Sequence, residues 1–245
     1  MTFRYMGSKK WLREHVEAML PENLEMLISP FFGSGQIEYH VARRRPHVTV
    51  QGSDIFKPVV DFHRLLPVQS LLAFAGQHLE KEAVKQMVLD IAATDDLTSA
   101  VSAFVVLHYS FNGKFGTYVR KKPISLKTVN QISKLSLPNV TVAQRDCFEV
   151  LSSLPKDRRI CVYLDPPYVI EYQHDRYYRG SKQGDIWAFQ EKLAEAIKDA
   201  NVPFILSIND SPEIRKLYAG YSIQQLRNPK TRSKTKYELL IHNLS

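Results

Sequence analysis

The sequence predicts an α/β protein built on an open sheet. Three observations carry that prediction. Short apolar runs the length of buried strands recur at residues 26–28, 48–54, 140–143, 160–164 and 203–208. Segments with helical spacing alternate with most of them. Several runs end in residues that cannot continue a strand: a glycine-rich turn after the first, Asp54 closing the second, and Asp165-Pro166-Pro167 after the fourth. In open α/β sheets ligands bind at that carboxyl edge.

At 245 residues the chain can bury a sizeable core, as one domain with an insertion or as two small ones. Lys and Arg number 33 against 25 Asp and Glu, giving a formal charge of +8 and a pI near 9.4. That balance points to a polyanionic partner, nucleic acid first. The two cysteines, Cys147 and Cys161, suit reduced thiols in a cytosolic compartment, and no metal-ligand spacing occurs among Cys and His. No long apolar stretch opens the chain, so neither a signal peptide nor a membrane span is expected.

In chain order, residues 3–10 are short, polar and basic. Ser8 suits a cap for a helix from about Lys9 to Met19, which Pro21 ends. The first strand runs into Pro30-Phe31-Phe32-Gly33-Ser34-Gly35, and residues 36–45 read as a helix. A strand, a glycine turn and a helix make a nucleotide-type site, because glycine lets a ligand approach the backbone. Glu38 stands where a dinucleotide fingerprint needs its third glycine, which disfavours NAD and leaves room for another adenosine cofactor. Asp54 lies nineteen residues beyond Gly35, where an acid can accept both ribose hydroxyls. The alternative is an acid that caps the next helix.

Residues 56–108 are largely helical, with apolar positions near helical spacing. From Tyr109 to Pro123 aromatics alternate with bases around Gly113 and Gly116. Rings beside cations suit a distorted nucleic-acid strand, and a tight loop with a solvated basic tail reads equally well. After the third strand, Asp146 and Phe148 can hold an adenine by its amine and its face. Asp165-Pro166-Pro167-Tyr168 joins a carboxylate, a donor-free turn and an aromatic ring; a rigid strand exit with a capping acid is the plainer alternative. Residues 171–184 are polar, aromatic and basic, suiting a mobile loop that faces DNA, and 186–201 form an amphipathic helix. Two closing strands, near 221–226 and 237–241, read as an antiparallel pair. Between them, residues 227–236 hold five bases and no acid, either solvated or on phosphates.

Taken together, these segments resemble the Dam-type, or D12 class, adenine-N6 DNA methyltransferases over nearly the whole chain. Arg4-Tyr5-Met6-Gly7-Ser8-Lys9 is similar to the family's N-terminal cofactor segment. The 30–35 turn, Asp54, Asp146 with Phe148, and Asp165–Tyr168 follow in the family's order, and residues 232–241 are similar to its closing hairpin. The resemblance implies a Rossmann-like S-adenosylmethionine-dependent methyltransferase sheet with a reversed C-terminal β-hairpin. It implies a catalytic domain of residues 1–56 and 124–245 and a helical target-recognition insertion of 57–123. It further implies that Tyr5, Lys9, Pro30, Phe31, Gly33, Gly35, Asp54, Asp146, Phe148 and Asp165 hold S-adenosylmethionine. Asp165, Pro166, Pro167 and Tyr168 would act on a flipped adenine. Phe111, Asn112, Lys114, Arg120, Lys121, Lys122, Lys230, Arg232 and Lys234 would contact double-stranded DNA. A monomeric, cytoplasmic enzyme from a bacterium or phage is expected, with no metal. Two departures stand out. The stretch between Asn112 and Lys121 is shorter than a GATC-reading hairpin, and Leu107-His108 replaces the family's usual Asn-Arg. An RNA adenine methyltransferase and a catalytically inactive DNA-binding relative are the competing readings.

Overall fold

The computed structural model describes residues 9–91, 95–111, 113, 116–119, 122–156, 159–168, 183–229 and 237–244. Seven strands form one sheet: β1 (Met26–Ser29), β2 (Thr49–Asp54), β3 (Val140–Gln144), β4 (Ile160–Leu164), β5 (Phe204–Asn209), β6 (Ser222–Arg227) and β7 (Tyr237–His242). Their order is β3-β2-β1-β4-β5-β7-β6. The first five strands run parallel, and β7 enters antiparallel between β5 and β6. This is the reversed closing hairpin that the sequence led us to expect.

The runs of β1, β4 and β5 are buried throughout because both faces of the sheet are covered there. On one face Leu27, Val50, Cys161, Tyr163, Ile205 and Leu240 join one core cluster. Their neighbours Ile28, Val162, Leu164, Leu206, Ile208, Leu239 and Ile241 join a second on the other face. The period-two alternation of strand side chains thus divides β1, β4, β5 and β7 between two cores, whereas Val50 of β2 and Val140 and Val142 of β3 meet the first core alone. The first face carries α1 (Arg13–Met19), α2 (Glu38–Arg44) and the helices that follow β2. Those are α3 (Lys57–Leu65), α4 (Val68–Leu72), α5 (Lys81–Asp90), α6 (Asp96–Tyr109) and α7 (Leu126–Ile132). The second face carries α8 (Cys147–Ser152), α9 (Gln183–Ala200) and α10 (Pro212–Leu217).

The helix boundaries follow local chemistry. Asp95 caps α6, accepting from the Thr98 amide at 3.0 Å and the Thr98 hydroxyl at 2.8 Å. Ser211 caps α10, with Pro212 in the first turn, where its missing N–H costs nothing. Helix α6 is buried along most of its length. Its Phe104 stacks on Phe62 of α3, with ring centres 5.5 Å apart, inside the same core as the sheet. The first helix starts later than expected. Residues 10–12 are turn, and α1 begins at Arg13, because the Leu12 amide closes on the Lys9 carbonyl at 2.8 Å. Ser8, the expected cap, lies outside the described residues.

Strand order reverses between β1 and β4, since the chain steps outward from β1 to β2 and β3 and, on the other side, from β4 to β5. That reversal opens a crevice at the carboxyl edge. The glycine turn after β1, Asp54 at the end of β2 and Asp165 after β4 all stand there. Among the described residues, no helix is long and apolar enough to cross a membrane, and no group of three or more His, Cys, Asp or Glu could hold a metal ion. Both cysteines are free and buried, and burial pushes each thiol up to about 12.

Candidate active site

The glycine turn is braced from two sides. Gly33 and Gly35 have φ of 46° and 65°, in the region glycine favours. A Cβ on Gly35 would lie 2.7 Å from the Tyr39 ring and 2.8 Å from Phe32, so no larger residue fits. The Gly33 amide donates to Asp54 Oδ2 at 2.9 Å. The Gly33 carbonyl lies 2.8 Å from His63 Nε2, and His63 Nδ1 lies 3.0 Å from the Tyr39 hydroxyl. A carbonyl only accepts, so Nε2 carries the proton and Nδ1 accepts from Tyr39. Burial lowers the His63 pKa to about 4, which keeps the imidazole neutral as this tautomer requires. The other Asp54 oxygen accepts the Phe56 amide at 2.9 Å, just before α3. Asp54 therefore caps the turn into α3 and holds the glycine turn; its capping alternative is observed, and a ligand role is compatible with it. Burial raises its pKa. Ile55, next in the chain, is 69% exposed.

An aromatic cluster extends from β1 to the second face. Phe31 meets Phe189 of α9 edge-on at 6.2 Å, and Phe189 meets Phe148 at 5.5 Å. The Lys192 ammonium stands 4.1 Å from the centre of the Phe148 ring. Asp146 caps α8 by accepting the Phe148 amide at 2.8 Å. Pro30 is buried beside this turn.

The turn after β4 holds a buried polar network. Lys9 forms an ion pair with Asp165 Oδ1 and another with Glu238 Oε1 at 3.3 Å. The Ser207 hydroxyl of β5 donates to the same Asp165 oxygen at 3.3 Å and lies 2.9 Å from the Tyr163 hydroxyl. The Tyr168 hydroxyl donates to Glu238 Oε1, and Gln190 Nε2 of α9 donates to the Pro167 carbonyl at 2.6 Å. Burial pushes the Asp165 carboxyl up to about 6, although Lys9 opposes the shift. Burial alone would lower Lys9, but the Asp165 and Glu238 carboxylates outweigh it and hold the ammonium above its ordinary value. Glu38, buried with Oε1 2.6 Å from the Ser29 hydroxyl, is raised by burial to about 7.

Every side-chain hydrogen bond that Asp165 accepts from a described residue falls on Oδ1. Its Oδ2 and the Pro166 carbonyl accept no hydrogen bond from a described residue.

The profile of the D12 class N6 adenine-specific DNA methyltransferase family matches residues 81–233, more than half of the chain and inclusive of the Asp165 turn. The chain belongs to that family. This D12 methyltransferase is 21% identical over 254 aligned residues to the Type II methyltransferase M1.LlaDCHI of Lactococcus lactis subsp. cremoris. The alignment covers 93% of this chain and 87% of the relative. Among solved structures, it is similar to a precorrin-6y C5,15-methyltransferase from Geobacter metallireducens GS-15, with 10% identity and a TM-score of 0.48, over 100% of this chain and 94% of that one. It is also similar to an rRNA methylase from Streptococcus thermophilus, with 8% identity and a TM-score of 0.40, over 96% and 95% of the two chains. By its family the D12 methyltransferase is an enzyme that methylates adenine N6 in DNA, with S-adenosylmethionine as methyl donor.

The structure of the D12 enzyme assembles Lys9, Asp165, Pro166, Pro167 and Tyr168 in one network, and Pro30, Phe31, Gly33, Gly35, Asp54, Asp146 and Phe148 on the neighbouring turns. Lys9 is committed to Asp165 and Glu238. Tyr5, Asn112, Lys114, Arg120, Lys121, Lys230, Arg232 and Lys234 lie outside the described residues, as does most of the expected mobile loop at 171–184. Phe111 is 58% exposed after α6, and its amide donates to the Thr117 hydroxyl at 2.9 Å. Lys122 is exposed, and its carbonyl lies 3.0 Å from His108 Nε2. Sequence reasoning missed Glu238, Ser207, Gln190, His63 and Ile55. Glu238 did leave a signal, as the one acid inside the apolar run of residues 237–241.

Proposed function

We propose that this enzyme methylates adenine at a specific site in double-stranded DNA, acting as a monomer on a base turned out of the helix. Its setting is a bacterial cytoplasm, from a bacterial or phage gene. The observation that carries the reading is the pair of acceptors to which no described residue donates, Asp165 Oδ2 and the Pro166 carbonyl. Adenine's amino group has two N–H donors and a lone pair delocalised into the ring. Two acceptors fixed on one turn draw both hydrogens to one side and favour a pyramidal nitrogen whose lone pair is free to attack. S-adenosylmethionine supplies an electrophilic methyl group on a sulfonium. Direct transfer needs no Cys or Ser nucleophile, and positioning supplies much of the acceleration. The methylated nitrogen then sheds its extra proton to Asp165, whose pKa of about 6 suits a group that returns it to water.

The residues present fit the donor. Gly33 and Gly35 hold the turn in the positive-φ conformation that glycine favours, Asp54 offers carboxylate lone pairs to ribose hydroxyls, and Ile55 and Phe148 offer apolar surface to an adenine ring. The two carboxylates of Asp165 and Glu238 outnumber the single ammonium of Lys9 in the buried network, an arrangement that tolerates a nearby cation. Tyr168 offers its ring to a flipped base. Helices α3 to α6, in the stretch assigned to target recognition, supply the platform from which residues 111–122 reach DNA.

The test is incubation with methyl-labelled S-adenosylmethionine and DNA free of adenine methylation, followed by mapping of modified adenines. Label at N6 of adenines in one sequence context is expected, and none with Asp165→Ala. Label in RNA and not in DNA would overturn the reading.

A further inference from the structure

The Asp165–Tyr168 turn belongs to no helix or strand, and its two prolines have no N–H with which to anchor it. Its handles are carbonyls and side chains, so anything that fixes it must come from other elements. Two of the anchors stand outside the family motif and outside the methyl-transfer step described above. Gln190 is 0% exposed in the middle of α9 and donates to the Pro167 carbonyl at 2.6 Å, while its own Oε1 has no hydrogen-bond partner among the described residues. A half-satisfied buried amide is costly, and an apolar side chain would pack there without that cost. The amide is therefore present for its donor. Glu238 is 6% exposed on β7, with Oε1 accepting the Tyr168 hydroxyl and lying 3.3 Å from the Lys9 ammonium. The Tyr168 ring is thus held by its far end.

We propose that Gln190 and Glu238 are positioning residues of the catalytic turn. Gln190 locks the Pro167 carbonyl and Glu238 locks the Tyr168 hydroxyl, so that the preceding Pro166 carbonyl and Asp165 Oδ2 are presented to the amine at a fixed separation. The tethers grip the turn on the far side of Pro166, while Lys9 and Ser207 grip Asp165 on the near side. The proposal rests on the methyl-transfer reading for its consequence, though the tethering itself does not depend on which polymer carries the adenine.

Two measurements test it. The first uses the full chain labelled with 3-fluorotyrosine, the Tyr168 resonance being assigned by its loss in Tyr168→Phe. Gln190→Leu and Glu238→Leu should each shift or broaden that resonance, whereas Glu238→Gln, which keeps an acceptor, should restore most of it. An unmoved Tyr168 resonance in both leucine variants overturns the proposal whatever the substrate is. The second measures single-turnover methyl transfer on a duplex carrying the mapped site. Gln190→Leu should slow transfer roughly a hundredfold, the scale of a small misplacement of reacting groups, with S-adenosylmethionine and DNA affinities and melting temperature near wild type. Gln190→Glu should recover relative to wild type as pH falls, because only its protonated acid can donate to Pro167. A rate loss matched by equal losses of cofactor affinity, or no acid recovery in Gln190→Glu, sinks the positioning role. If wild type labels no DNA, the reading of the substrate fails while the fluorine result still decides the tethers.

Discussion

The Lys9 ammonium stands 4.6 Å from the centre of the Tyr168 ring while it pairs with Asp165 and Glu238. One buried cation therefore serves two carboxylates and the face of an aromatic ring. In a low-dielectric site each of these groups would be costly alone. Lys9 lies well before the family-matched span, so the N-terminal segment completes a network whose other members lie more than 150 residues later in sequence.

Lys9→Met tests this arrangement. Losing the ammonium leaves two buried carboxylates unpaired. Chemical denaturation near pH 8 should show a stability loss of about 3–5 kcal/mol, the usual cost of breaking a buried pair from one side. A loss below about 1 kcal/mol, the range of an exposed pair, would mean that the pair is solvated.

On the proposed mechanism, the Asp165 carboxyl should set the acid limb of activity. It must be ionised to take up the proton that the methylated amine sheds, and its pKa of about 6 lies above the ordinary 3.8. The single-turnover rate should therefore fall as pH drops through about 6, about tenfold for each unit below it. In Lys9→Met the opposing influence of the ammonium is gone, so the limb should move to higher pH. A flat profile down to pH 5 would assign the limb to another group.

Most of the architecture was legible because it rests on period and turn chemistry. Runs such as 160–164 are apolar throughout because both faces of β4 are covered, and a glycine turn after the first run and a proline pair after the fourth mark where those runs must stop. The polar network was less legible. Ser207 and Glu238 sit inside runs that otherwise read as core, and only the sheet order β4-β5-β7 brings them near the Asp165 turn. Gln190 lies on a helix face that spacing alone reads as packing. His63 reached Gly33 through a helix thirty residues away. Pairings across such separations depend on topology, which local pattern does not encode. Asp54 was ambiguous in the sequence for a physical reason, since capping a turn and meeting a ligand at the same edge ask for the same residue type.

Glu38 links burial to stability. Its folded pKa of about 7 lies above the ordinary 4.5, so the folded protein holds its proton over a range where the unfolded chain releases it. The stability this group contributes is full below about pH 4.5 and is lost as pH rises through about 7. Glu38→Gln keeps an acceptor for the Ser29 hydroxyl and removes the buried charge. It should raise stability at pH 8 by about 1–3 kcal/mol and leave it unchanged near pH 4. Equal stabilities of the two proteins at pH 8 would show that the charge is hydrated.

Asp54→Ala removes both the proposed ribose acceptor and the brace on the Gly33 amide. Calorimetry should show weaker S-adenosylmethionine binding by about 1.5–3 kcal/mol. Asp54→Asn, which can still accept from one backbone amide, should lose less. Unchanged affinity in the alanine variant would confine Asp54 to capping.

The last expectation concerns DNA. Residues 227–236 carry five bases without an acid, and Arg120, Lys121 and Lys122 form a second basic group. We assign both to phosphate binding along one duplex. Neutralising Lys230, Arg232 and Lys234 together should weaken binding to every sequence alike, because phosphates carry no base information. The slope of log affinity against log salt should become shallower by roughly one unit for each phosphate no longer neutralised. Substitutions at Phe111, Asn112 and Lys114 should act differently. Phe111 already exposes its ring after α6, and changes there should alter which site is methylated while leaving the salt slope near wild type. Salt-dependent binding to the mapped duplex and to a random one separates the two groups. Should the triple variant lose affinity for the mapped duplex alone, the 227–236 segment reads bases, and the phosphate assignment is wrong.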